Sequence, residues 1–139
     1  MPRPDPAAVT RAFDAIDRDL LALETRIAQG EALALAPTVE AAIALVGRMI
    51  RGYLADEGRK PVPAEDADLL DAWKVLVKGE PTWNTLRDNC RELVYYRNCI
   101  NMNRLDALPA VPERLAVRTA RHIYLYIKTR LIREGRLQD

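Results

Sequence analysis

The sequence predicts an all-α bundle of about five helices, and three observations predict it. Alanine occurs 20 times and leucine 18 times in 139 residues, whereas Val, Ile and Thr together occur 24 times and aromatics make up 6%. Ala and Leu favour helix, while β-branched and aromatic side chains favour strand. Proline and glycine alternate along the chain, as expected where proline opens helices and glycine closes them. Apolar residues recur at steps of three and four, and no stretch shows the sustained alternation of a half-buried strand.

The elements follow in order. Pro6 opens and Gly30 closes a helix expected over 6–29, with Asp5 as its N-cap. Its apolar positions Val9, Phe13, Ile16, Leu20, Leu23 and Ile27 form a heptad seam, the strongest pattern in the chain. Pro37 and Gly58 bound a helix over 37–57, carrying Val39, Ile43, Val46, Met49 or Ile50, and Tyr53. Pro63 and Gly79 bound a shorter one over 63–78, with Glu65 and Asp66 in its first turn, where acid complements the helix dipole. Its stripe reads Leu69, Leu70, Trp73, Leu76, Val77. Pro81 and Thr82 open a fourth over 82–105, reading Leu86, Cys90, Leu93, Arg97, Ile100. Pro112 and Gly135 bound the last, over 112–134, reading Ala116, Ala120, Ile123, Ile127, Leu131. The connector 58–63 reads as a stiff linker within one domain over 1–139, because either side alone is too small for a secure core.

The net charge is +1, so no global field demands a nucleic-acid or membrane partner. The balance is uneven. Residues 1–83 hold 10 basic and 14 acidic side chains, and residues 84–139 hold 11 basic and 6 acidic. Arginine supplies 17 of the 21 positive charges. Cys90 and Cys99 would lie on one helix, turned apart by ~900° and separated by ~13.5 Å of rise, too far for a disulfide. That fits a reducing cytoplasm. The stretch 1–6 has no apolar core of a signal peptide, and no run approaches the ~18 apolar residues of a membrane span. A cytoplasmic protein with no membrane partner is the expectation.

The inventory of reactive residues is thin. Serine is absent and His122 is the sole histidine, which removes any serine nucleophile and any site of several histidines. Di-iron bundles need paired Glu-x-x-His motifs, but residue 119 is Thr and no second histidine exists. Zinc needs three or four ligands, and only Cys90, Cys99 and His122 are on offer. Neither a metal nor a cofactor is therefore expected. Cys90 continues an apolar stripe and reads as a buried structural thiol. Gly47 and Gly52 fall inside a helical pattern, where they read as points of close helix–helix approach.

The stretch 92–104 is the most informative. Arg97 falls on the buried stripe between Leu93 and Ile100. A charge there must be paired and hydrogen-bonded, and Asp68 and Asp71 of the third helix are the expected partners. With Asn98, Asn101 and Asn103, Arg97 could also line a polar groove. Tyr96-Arg97-Asn98 resembles the first half of the signature of HEPN domains, small helical bundles that are often dimeric and in many cases cut RNA. The signature's histidine position is Met102 here, flanked by Asn101 and Asn103. The resemblance implies a dimeric bundle near RNA, without the catalytic histidine.

The last helix carries the other candidates. Arg114, Arg118 and Arg121 share a face, and Lys128, Arg130, Arg133 and Arg136 extend the charge. His122, Tyr124 and Tyr126 interleave with them, an arrangement able to hold a nucleic-acid backbone and stack bases. The simpler alternative is that these arginines pair with the acidic first half of the chain. His122 reads as a surface or groove residue. Trp73 belongs to the core stripe, while Trp83 could staple the fourth helix or serve as an exposed anchor. The leading functional expectation is a non-enzymatic interaction or adaptor protein, or a small subunit, meeting a protein partner or itself through helix faces. The second is an RNA-contacting domain, degenerate HEPN-like, using Arg97, Asn98, Asn101, Arg114, Arg118, Arg121, His122 and Tyr124. The third is an enzyme with an Arg/Asn/Tyr pocket.

Overall fold

A computed structural model of the chain describes residues 5–137. Residues 1–4, read above as lacking a signal peptide, lie outside the described residues. The chain folds as an all-α helical bundle. Its helices are α1 (Pro6–Ala28), α2 (Leu35–Glu57), α3 (Leu69–Val77), α4 (Arg87–Asn101) and α5 (Pro112–Arg133). A 3₁₀ turn, Pro81–Leu86, leads into α4, and another, Leu105–Ala107, follows it. No strand occurs among the described residues.

The centre of the bundle is α2, which packs against each of the other four helices. Its sequence explains why. Buried residues cover more than half of its circumference, from Val39, Ala42 and Ile43 through Leu45, Val46, Met49 and Ile50 to Tyr53 and Leu54, while Glu40, Ala44 and Ala55 on the remaining side are exposed. An apolar face that broad is stable only when several neighbours cover it. By contrast, α1 is one-sided, so it lies at the edge between α2 and α5. Val9, Phe13, Ile16 and Leu20 are buried there, while Leu23 and Ile27 are only partly covered. The seam of α1 is thus spent on this core as far as Leu20.

Local chemistry sets the helix ends. Asp5 accepts a hydrogen bond from the Ala7 amide at 2.9 Å and caps α1. Gly30, at φ 81°, closes it, with the Glu31 amide reaching back to the Arg26 carbonyl at 3.0 Å. The expected 63–78 helix begins late, at Leu69. Residues 58–68 are not helical, and Asp68 caps α3 by accepting from the Leu70 amide at 2.8 Å. Lys60 donates to the Leu76 carbonyl at 2.9 Å and pins this connector onto α3. In α2 the helix starts at Leu35, two residues before Pro37.

The expected 82–105 helix divides at Leu86. Its α-helical part ends at Asn101, because Asn103 takes the left-handed conformation that glycine takes elsewhere (φ 55°). The Arg104 amide then bonds to the Cys99 carbonyl at 2.7 Å, closing the turn. Asn tolerates this conformation better than most residues, so the signal was present in the sequence.

Gly52 behaves as a contact glycine: a side-chain carbon there would stand 3.3 Å from the Phe13 ring of α1. Gly47 does not. Its added carbon would meet the Arg51 guanidinium at 3.0 Å, on its own helix. Trp83 is fully buried and joins α2 to α5. Its ring meets Tyr53 edge-on at 4.9 Å and Tyr126 at 5.8 Å. The Trp73 indole donates to the Trp83 carbonyl at 3.0 Å, so both tryptophans are core residues. Removing an aromatic so placed costs about 3–5 kcal/mol. Among the described residues no helix is long and apolar enough to cross a membrane.

Candidate functional site

The candidate residues of α5 divide between two faces. The inner set is committed to the fold. Tyr124 is buried against Phe13, with ring centroids 5.9 Å apart, so it is no stacking platform. Arg121 lies over the Tyr124 ring at 4.9 Å and reaches α1, pairing with Asp17 and Glu24 at 2.7 Å each. Hydrogen bonding to Glu24, and then to Asp17 against the opposing effect of burial, holds its pKa above the ordinary arginine value. Arg121 is thus engaged by two carboxylates of α1. The acidic first half of the chain supplies its partners, across a separation of 97 residues for Glu24.

The outer set is different. Arg114, Arg118, His122, Leu125, Thr129 and Arg133 are all exposed. They follow steps of four, four, three, four and four, so they share one stripe spanning about 28 Å of helix. No acidic residue lies on the stripe. Arg114, Arg118 and Arg133 have no ion-pair partner among the described residues. Leu125, at the centre, is 53% exposed. Beside the C-terminal half of the stripe runs an open groove of about 520 Å³, bounded by His122, Leu125, Tyr126, Thr129, Arg130, Arg133 and Glu134 and, across it, Thr82. The reading of His122 as a groove residue matches its place here.

Arg130 forms the inner wall of this groove. It stacks on Trp83 at 4.0 Å, donates to the Thr82 hydroxyl at 2.7 Å and pairs with Glu80 at 2.9 Å and Glu134 at 3.2 Å. These contacts fix the turn 81–86 against α5 and so shape the groove. Leu125, Thr129 and Arg133 were legible as stripe residues from their spacing. Thr82 was not, because it arrives from 48 positions away from Arg130.

Arg97 occupies a separate place, between α4 and α2. Its partner is Glu40, which accepts from Nε at 2.8 and 3.0 Å and pairs with Nη2 at 2.8 Å. This corrects the expectation of Asp68 and Asp71. Asp68 is spent on capping α3, although its charge still acts on Arg97, and Asp71 faces Lys74 at 3.8 Å. Arg97 sits at the rim of the core, its side chain 29% exposed, because α4 turns that edge of its stripe toward α2. Asn101 borders a small recess beside it, while Asn98 points to solvent and does not line the recess. Met102, at the histidine position of the HEPN-like signature, is 71% exposed.

Cys90 and Cys99 are both free and buried. Burial pushes the Cys90 thiol up to about 12, the opposite of an activated nucleophile. Among the described residues no group of three or more His, Cys, Asp or Glu side chains is placed to hold a metal ion. Compared with protein-family models, curated proteins and solved structures, the chain matches none.

Proposed function

We propose that this chain is a non-catalytic interaction protein, an adaptor or small subunit, that offers the outer stripe of α5 to an acidic amphipathic segment of a protein partner. One observation carries the reading: the stripe has an apolar centre at Leu125, basic side chains toward both ends, and no acid. An amphipathic helix laid along such a surface buries its apolar row at the centre and sets its carboxylates against Arg114, Arg118 and Arg133. Pairing of the stripe with its own copy is disfavoured, because a two-fold contact would set like charges together. The free buried thiols support a cytoplasmic, reducing setting.

A second reading, contact with an RNA backbone, is favoured by the absence of ion-pair partners for Arg114 and Arg118 among the described residues. It has lost Arg121 and Tyr124, which are committed to the fold.

The test is fluorescence anisotropy with a synthetic acidic amphipathic helix, its sequence-scrambled counterpart and a single-stranded RNA. The protein reading expects micromolar-order binding of the amphipathic peptide, weakened about ten-fold or more by Leu125→Asp. Equal binding of the scrambled peptide overturns it. RNA binding that falls steeply with salt and ignores Leu125→Asp selects the second reading.

A further inference from the structure

A half-buried guanidinium is costly unless something offsets its lost hydration. Six described arginines are half-buried: Arg48, Arg51, Arg97, Arg121, Arg130 and Arg136. Five of them hold a carboxylate. Arg48 meets Asp19 at 2.6 Å, Arg97 meets Glu40 at 2.8 Å, and Arg121 meets Asp17 at 2.7 Å. Arg130 meets Glu80 at 2.9 Å, and Arg136 meets Asp56 at 2.7 Å. Arg51 is the exception, with no ion-pair or hydrogen-bond partner among the described residues.

The place it occupies is shaped for it. The Arg51 side chain folds back along α2 until Nη1 lies 3.0 Å from where a side-chain carbon on Gly47 would stand. The missing side chain of Gly47 is therefore what gives the guanidinium room. Beside it opens a cavity of about 470 Å³ between α2, α4 and the start of α3. Glu40 and Arg97 form one wall, already paired to each other. Glu65, Asp66 and Asp68 stand on the other side.

We infer that this cavity binds a small zwitterion of the amino-acid type. The ligand's carboxylate sits on the Arg51 fork, and its ammonium group faces Glu65 and Asp66. An arginine fork matches a planar carboxylate in two parallel hydrogen bonds. A phosphate dianion fits less well, because the surrounding carboxylates repel the extra charge. A simple ammonium ion lacks the group that Arg51 needs. The cavity volume falls within the range of small-ligand sites. This site is separate from the α5 stripe and does not depend on it.

The test is amide NMR of the full chain titrated with glycine, glutamate, succinate, inorganic phosphate and methylammonium, each to about 50 mM. Glycine or glutamate should give saturable shifts at Gly47, Arg51 and residues 65–69, with the other three probes about ten-fold weaker or absent. Arg51→Met should abolish those shifts. Gly47→Ala should weaken them by displacing the guanidinium, with the helical circular dichroism unchanged. Arg51→Met should also leave thermal stability unchanged or raised, since no internal partner is lost. No saturable shift with any probe overturns the proposal, as does tightest binding of phosphate. Unchanged binding in Arg51→Met overturns it too. A marked fall in the stability of that variant would show an internal partner and overturn the premise.

Discussion

The Arg136 guanidinium meets the Asp56 carboxylate at 2.7 Å, with 10% and 3% of the two side chains exposed. The pair locks the segment after α5 onto the end of α2. Arg136 adds a hydrogen bond to the Tyr53 carbonyl at 2.7 Å, a second ion pair with Glu134 at 2.6 Å, and a stack on the Tyr53 ring at 4.1 Å. Without Asp56 the guanidinium keeps Glu134 and the Tyr53 carbonyl, so the loss is that of one buried charge-assisted hydrogen bond. Asp56→Ala should therefore cost about 2 kcal/mol in urea unfolding. Arg136→Met should cost more, since it removes the pairs to both Asp56 and Glu134. An Arg136→Met variant no less stable than Asp56→Ala would show that the Glu134 pair contributes nothing.

Stability should fall at both ends of the pH range. Burial acts to raise the Glu134 pKa, but hydrogen bonds from Arg136, Tyr53 and Arg130 outweigh it and hold the group below its ordinary 4.5. A lowered carboxylate contributes fully above its unfolded value, and that contribution is lost as pH falls through the folded one. Cys90 works in the opposite sense. Burial raises its thiol from 9.0 to about 12, so its contribution is complete below pH 9.0 and is lost as pH rises toward 12. Burial, with hydrogen bonds to Glu134 and Glu92, also raises Tyr53 and Tyr96 and adds to the alkaline limb. Urea midpoints across pH should show both limbs. Glu134→Gln should flatten the acid limb, and Cys90→Ala should reduce the alkaline one.

Val111 stands at the entry to α5 with φ 50° and ψ 55°, a left-handed conformation that a β-branched residue adopts at a cost. Its side chain is 44% exposed, so little packing repays that cost. Val111→Gly should stabilise the protein by about 1 kcal/mol. Thermal unfolding checks this, and an unchanged or lower midpoint would mean that the side chain contributes more contact than its exposure indicates.

The two sets of α5 arginines should separate in stability as well as in binding. Arg121, with its side chain 20% exposed between two carboxylates, should lose about 1 kcal/mol on replacement by Gln. The effect should shrink at high salt. Arg114 and Arg118 are exposed, and their replacement by Gln should change stability by less than about 0.5 kcal/mol. Chemical denaturation at low and high salt distinguishes the sets.

The helices were legible because the forces that write them act within a few residues. Asp5 before Pro6, Gly30 past α1 and the steps from Val9 to Leu20 each state their role locally. Where helix bounds differ from those the spacing predicts, a second local signal competes with the first. Pro63 looks like a helix opener, yet the capping bond belongs to Asp68. Asn103 ends α4 in a conformation expected of glycine.

Composition and residue spacing account for the all-α class, the buried stripes, and a last helix whose arginines outnumber its acids. Which of those arginines hold a carboxylate depends on how the helices pack. Arg97 finds Glu40 at a separation of 57 residues, Arg121 finds Glu24 at 97, and Arg136 finds Asp56 at 80. Helical periodicity fixes the side of its own helix from which a charge leaves. It does not specify which carboxylate a neighbouring helix brings to meet it, because that depends on how the helices pack. Packing thus closed the inner face of α5, left its outer stripe exposed, and set Arg51 at the edge of a cavity.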